Sequence, residues 1–137
     1  AGKAYIHSHG ITAKTPECWQ YTQPQDAFIE SMAAAAQAVH DYFGNGERIL
    51  YISVMYKMSI DCDCNGNPAE PDIHDIGILA SADPVALDQA CVDLVYQAEG
   101  NASLVRRIES RSGIHTLEHA EEIGLGSRTY ELVNIDE

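Results

Sequence analysis

The run Ile49-Leu50-Tyr51-Ile52-Ser53-Val54-Met55 decides how the chain is read. It is almost continuously apolar, which predicts a strand buried on both faces, as in a sheet covered by helices. Working outward toward the C-terminus, Asp61–Pro71 is polar, contains Gly66, Pro68 and Pro71, and reads as a loop. Ile76–Ala80 is a second buried strand. Asp83-Pro84 then opens a helix, because Asp can cap free N–H groups and Pro fits the first turn. Leu87, Cys91, Leu94, Val95 and Ala98 form its apolar stripe, with Asp88 and Asp93 free to face water. Leu104–Glu109 and Leu117–Ile123 predict two short helices, the latter ended by Gly124, and Tyr130–Ile135 predicts a closing strand.

Toward the N-terminus, Asp26–Phe43 predicts the longest helix, with Phe28, Met32, Ala35, Val39 and Tyr42 on one stripe. The alanines from Ala33 to Ala36 favour helix, and Gly44-Asn45-Gly46 stops it. Residues 10–24 read as an irregular connection. Lys3–His9 alternates as a strand, with Tyr5, His7 and His9 on one face. The expected fold is a single α/β domain over residues 1–137, with a mixed or mostly parallel sheet flanked by helices. Ile49–Met55 and Ile76–Ala80 are its central strands, and the two longer helices pack their stripes on that sheet.

The 137 residues suit one domain, and 45% hydrophobic with 21% charged residues suits a globular chain. The net charge is −13, so the surface repels phosphate backbones and anionic lipid. Nucleic acid and membrane are therefore set aside as partners, and cations or basic partners are favoured. The apolar runs are too short to span a bilayer. The four cysteines, Cys18, Cys62, Cys64 and Cys91, do not form a dense secreted scaffold, which points to reduced thiols in a cytoplasm.

Two residue sets carry metal chemistry. His7-x-His9 and Cys62-x-Cys64 each place two ligands on one side of an extended chain, and Cys₂His₂ fills the tetrahedron that zinc prefers. Asp61, Asp63, Asp72, His74 and Asp75 crowd the same loop, as alternative ligands, as groups that orient the histidines, or as ordinary turn residues. The second set is His115-Thr116-Leu117-Glu118-His119. It matches the H-x-x-E-H of some zinc hydrolases and resembles the metal motif of S-ribosylhomocysteine lyases. No third ligand and no matching flanking pattern accompany it, and an exposed helix face explains it better. Asp83 and Asp88 look like an acid–base pair, but Asp83 is better explained as a helix cap.

Cys62-Asp63-Cys64, Asp75-Ile76-Gly77-Ile78-Leu79-Ala80-Ser81, Asp83-Pro84-Val85-Ala86-Leu87-Asp88 and the tail Gly124-Leu125-Gly126 with Tyr130-Glu131-Leu132 resemble domain-of-unknown-function family 362. The resemblance covers roughly residues 47–133, with Gly2–His9 as a further match. It implies an α/β fold, a cytoplasmic setting, frequent association with ferredoxin-type iron–sulfur modules, and a chain that is the C-terminal part of a longer protein. It supplies no reaction. The sequence departs from the ferredoxin-containing members in lacking their repeated cysteine runs, so it cannot house such a cluster by itself. The leading expectation is a metal-binding, redox-associated protein holding zinc or iron at Cys62 and Cys64. Its partner is a ferredoxin-type protein or the family's N-terminal half. The alternatives are a metal-dependent hydrolase or lyase at His115, Glu118 and His119, and a non-enzymatic acidic interaction module.

Overall fold

A computed structural model describes Ile6, residues 24–61 and residues 65–136. Along these residues run helix α1 (Gln25–Tyr42), strands β1 (Tyr51–Met55) and β2 (Gly77–Ser81), and helices α2 (Pro84–Gln97), α3 (Ala102–Ser110) and α4 (Gly113–Glu122). The elements are a mixture of α and β, as expected, but the sheet differs. β1 and β2 pair antiparallel, with Tyr51 opposite Ser81, Val54 opposite Ile78 and Met55 opposite Gly77. The mixed or mostly parallel sheet is thus corrected to a single antiparallel pair among the described residues. The connection between the strands is a polar loop with no helix among its described residues, and a parallel return needs a crossover that is usually helical. Of the predicted strand Lys3–His9 only Ile6 is described, and it is helical; the remainder lies outside the described residues.

Burial on both strand faces is also corrected. Tyr51, Ser53 and Met55 face inward with Leu79 and Ser81, whereas Ile52, Val54 and Ile78 are 60%, 61% and 72% exposed. An apolar sequence run cannot reveal whether one layer or two will cover it. Among the described elements, α2 covers one face.

The core has two parts. Met55 from β1, Ile73 from the loop and Val95 from α2 form one, with Leu79, Cys91, Leu94, Leu104 and Ile108 packed around them. Ala33, Val85, Ala120 and Leu125 form the other, where α1, α2 and α4 meet. Burial of each large side chain contributes about 1.5–3 kcal/mol. Helix α2 packs on the sheet as expected, but α1 packs on α4 instead. Its buried residues are Ile29 and Ala33, not the predicted stripe, in which Met32, Val39 and Tyr42 stay exposed. The alanine run makes two helix faces nearly equal in hydrophobicity, and the tight approach of α4 selects the one that presents Ala33.

Local chemistry explains where α2 begins and α4 ends. The Asp83 carboxylate accepts hydrogen bonds from the backbone N–H groups of Val85 (2.8 Å) and Ala86 (3.0 Å), while Pro84 occupies the first turn. At the end of α4, Gly124 has φ +82°. Its N–H donates to the Glu121 carbonyl, and the Leu125 N–H reaches back to the Ala120 carbonyl. This is the left-handed helix stop that glycine adopts without a side-chain penalty, with Leu125 packed on Ala120 as its hydrophobic contact. The predicted strand Tyr130–Ile135 is instead an unpaired tail; Leu132, Val133 and Ile135 are exposed.

Candidate metal centre

The loop between β1 and β2 is fastened by its own polar side chains. Ser59 Oγ donates to the Ala69 carbonyl at 2.8 Å, and Asp61 Oδ2 accepts the Ala69 N–H at 2.8 Å. These two bonds tie residues 59–61 to residue 69 and close the loop at its neck. Asn65 Oδ1 accepts the Asn67 N–H at 3.1 Å, a turn in which the side chain stands in for backbone. Arg107 on α3 lies 3.6 Å from Asp61 and draws the neck toward the helix. Both partners are partly exposed, so this ion pair contributes only ~0–1 kcal/mol.

The second half of the loop is docked more deeply. Ile73 is buried against Met55 and Val95. On either side of it, Asp72 accepts a short hydrogen bond from the Ser103 hydroxyl and Asp75 Oδ1 accepts the Lys57 N–H at 2.7 Å. Asp61, Asp72 and Asp75 therefore each have a structural task in shaping the loop. Of the loop's described candidates, His74 is exposed, between buried Ile73 and exposed Asp75. Cys62, Asp63 and Cys64 lie outside the described residues, as do His7 and His9. In the sequence the C-x-C falls between Asp61 and Asn65. The antiparallel pairing removes one argument for a site here, because strand carboxyl ends collect ligands in open parallel sheets rather than in hairpins.

The second predicted set is assembled differently from a metal site. His115 Nε2 lies 3.0 Å from Glu30 Oε1 on α1, and its Nδ1 lies 3.7 Å from Glu118. His119 Nδ1 lies 3.4 Å from Glu122, and Glu118 also lies 3.6 Å from Arg128. The hydrogen bond to Glu30 holds the His115 imidazole above the usual histidine range, with the charges of Asp26 and Glu30 adding to it. A raised imidazole favours the cationic form, which cannot bind a metal. Among the described residues, no group of three or more His, Cys, Asp or Glu side chains is placed to hold a metal ion. The motif's residues serve α1–α4 pairing and the anchoring of Arg128. The Asp83 carboxylate, capping α2 and accepting the Ser127 N–H at 2.9 Å, is likewise committed to structure, and Asp88 is exposed.

Sequence reasoning missed a polar network beside this motif. Tyr130 donates its hydroxyl to Asp93 at 2.8 Å, Asp93 accepts from Gln89 at 2.8 Å, and Arg128 Nε donates to Gln89 Oε1 at 2.8 Å. Asp93 thereby faces the tail rather than open water, and the bond it accepts raises the Tyr130 phenol above its ordinary range. The signal was present as one spacing: Gln89 and Asp93 four apart on a helix. Cys91, the cysteine described on α2, is half-buried. Burial pushes its thiol up, partly opposed by a hydrogen bond with Ser53. That places it among inert packing thiols rather than ligands.

No curated protein and no solved structure matches the chain. A family profile does, over residues 1–93, and that span includes the C-x-C, both strands and the capped start of α2 while leaving out the Gly-Leu-Gly tail. On that match, which covers well over half of the 137 residues, the chain belongs to the family described as domain of unknown function DUF362.

Proposed function

We propose that this chain is a metal-binding, redox-associated protein in which Cys62 and Cys64 supply thiolate ligands for zinc or iron, with His7 and His9 as imidazole partners. The reading rests on one observation above others: the closed loop neck formed by Ser59, Asp61 and Ala69. These bonds close the segment from Asp61 to Ala69, whose sequence contains the C-x-C, and a closed loop costs less chain entropy to bring to one ion than an open one. Soft thiolates with imidazoles suit zinc or iron, and the metal would supply a fixed tetrahedral anchor or, if iron, a one-electron couple. Asp72 and Asp75 act as loop supports, and His74 is the remaining candidate for a further ligand. The setting proposed is cytoplasmic, and the partner is a ferredoxin-type protein or the family's N-terminal half, because the chain lacks the cysteine runs of a cluster module.

The test is a titration of metal-free protein with Zn²⁺ against a chromophoric chelator across a range of pH. Affinity falls as pH drops, because each thiol must lose its proton to bind, and protons are released on binding. An affinity that does not depend on pH, or that is unchanged by Cys62→Ser with Cys64→Ser, overturns the proposal.

A further inference from the structure

β2 uses one edge to pair with β1. Along it lies a cavity of about 580 Å³, floored by Ala86, Leu87 and Ala90 of α2 and closed on the far side by the tail Tyr130–Asp136. The cavity follows β2 from Ile78 to Ser81, so it is elongated along the strand. Four strand residues span roughly 14 Å, which leaves a cross-section of roughly 41 Å². At the usual spacing of about 4.8 Å between strands, the space is about 9 Å deep, room for one strand's backbone and the first atoms of its side chains. The tail's Tyr130 end is fixed to α2 through Asp93, and the tail forms no ladder with β2. The slot is thus bounded by a strand edge on one side and an irregular tail on the other.

The lining also has a sign. Its walls are mostly apolar, and the charged residues lining it are Glu131 and Asp136, both acidic and both exposed. A net charge of −13 extends the same field around it. We infer that this slot accepts an extended segment of another protein, one that alternates β-branched apolar residues with Lys or Arg. The guest adds a strand to the β2 edge and sets its basic residues against Glu131 and Asp136. Main-chain pairing supplies the attachment in this mode of recognition, and the alternate side chains supply the selectivity. The inference is independent of any metal at Cys62 and Cys64.

The test uses the full chain and two capped, fluorescein-labelled heptapeptides, one alternating Lys with Val and one alternating Glu with Val. By fluorescence anisotropy the basic peptide binds at least tenfold more tightly. Glu131→Lys with Asp136→Lys removes that preference while circular dichroism stays unchanged. Hydrogen exchange slows at Ile78–Ser81 and Leu132–Ile135 when the basic peptide is added. Equal affinity for both peptides, or protection appearing elsewhere, overturns the inference. Two results without peptide also overturn it. Concentration-dependent protection of β2 in a species of dimer mass assigns the slot to a second copy. Protection in the dilute monomer of the β2 amides that do not pair with β1 assigns it to the chain's own residues.

Discussion

Replacing Asp83 probes how the start of α2 and the tail are held together. Its carboxylate accepts three backbone N–H groups, from Val85 at 2.8 Å, Ala86 at 3.0 Å and Ser127 at 2.9 Å. Loss of a helix cap costs about 1 kcal/mol, and a hydrogen bond to a charged acceptor is worth about 1.5–3 kcal/mol, with a partly exposed one at the low end. The three bonds share one carboxylate and are not additive, so Asp83→Ala is expected to cost about 2–3 kcal/mol. Asp83→Asn keeps one oxygen for the cap but turns an amide NH₂ toward Ser127, and should cost about 1–2 kcal/mol. Gly126 enters the same argument, since a Cβ there would collide with the Asp83 carboxylate. Gly126→Ala therefore breaks the tether from the other side. Urea denaturation reads these costs as shifted midpoints at constant slope. An Asp83→Ala variant within about 0.5 kcal/mol of the parent, the range of ordinary surface substitutions, would refute the tether. Loss of bound metal with the fold intact would place Asp83 in the site instead.

Stability should respond to pH through His115. Its folded form holds the proton more strongly than the unfolded chain, so its contribution is complete below the ordinary histidine pKa of about 6.5 and is lost as pH rises through the higher folded value. Glu30→Gln flattens that dependence in urea midpoints measured at a series of pH values; an unchanged slope would show that the pair is not formed in solution. On the sheet, Ile78→Lys, at 72% exposure, is expected to change stability by less than about 0.5 kcal/mol, whereas Val85→Ala, at 2%, costs about 2 kcal/mol. A large loss at Ile78 would mean that a second layer covers the hairpin. Alkylation under native conditions should modify Cys91 slowly, because burial raises its thiol. Rapid labelling there would contradict its packing role.

What was legible in the sequence was local. Asp83-Pro84 specifies its cap within four residues, and Gly124 specifies its stop within one turn, so both are read correctly from sequence alone. What depends on distant partners was not legible. Within Ile49–Met55 the strand Tyr51–Met55 forms, but the apolar run does not say that its partner returns antiparallel or that Ile52 and Val54 stay exposed. On α1, the alanine run supports helix strongly yet leaves open which face is buried, and Ala33 wins because α4 approaches closely. The loop shows the same division. Its polarity marks it as a loop, but Asp61, Asp72 and Asp75 have the same residue type whether they hold a metal or hold the backbone, and only hydrogen-bond geometry separates the two. The pairing of His115 with Glu30, 85 residues apart, was equally out of reach.

Elemental analysis of protein purified without added metal decides whether Cys62 and Cys64 hold a metal. Stoichiometric zinc or iron is expected in the parent chain and in a His115→Ala, His119→Ala double variant, and its disappearance from Cys62→Ser with Cys64→Ser. Metal retained in the cysteine variant, or lost from the histidine variant while the fold persists, would contradict it.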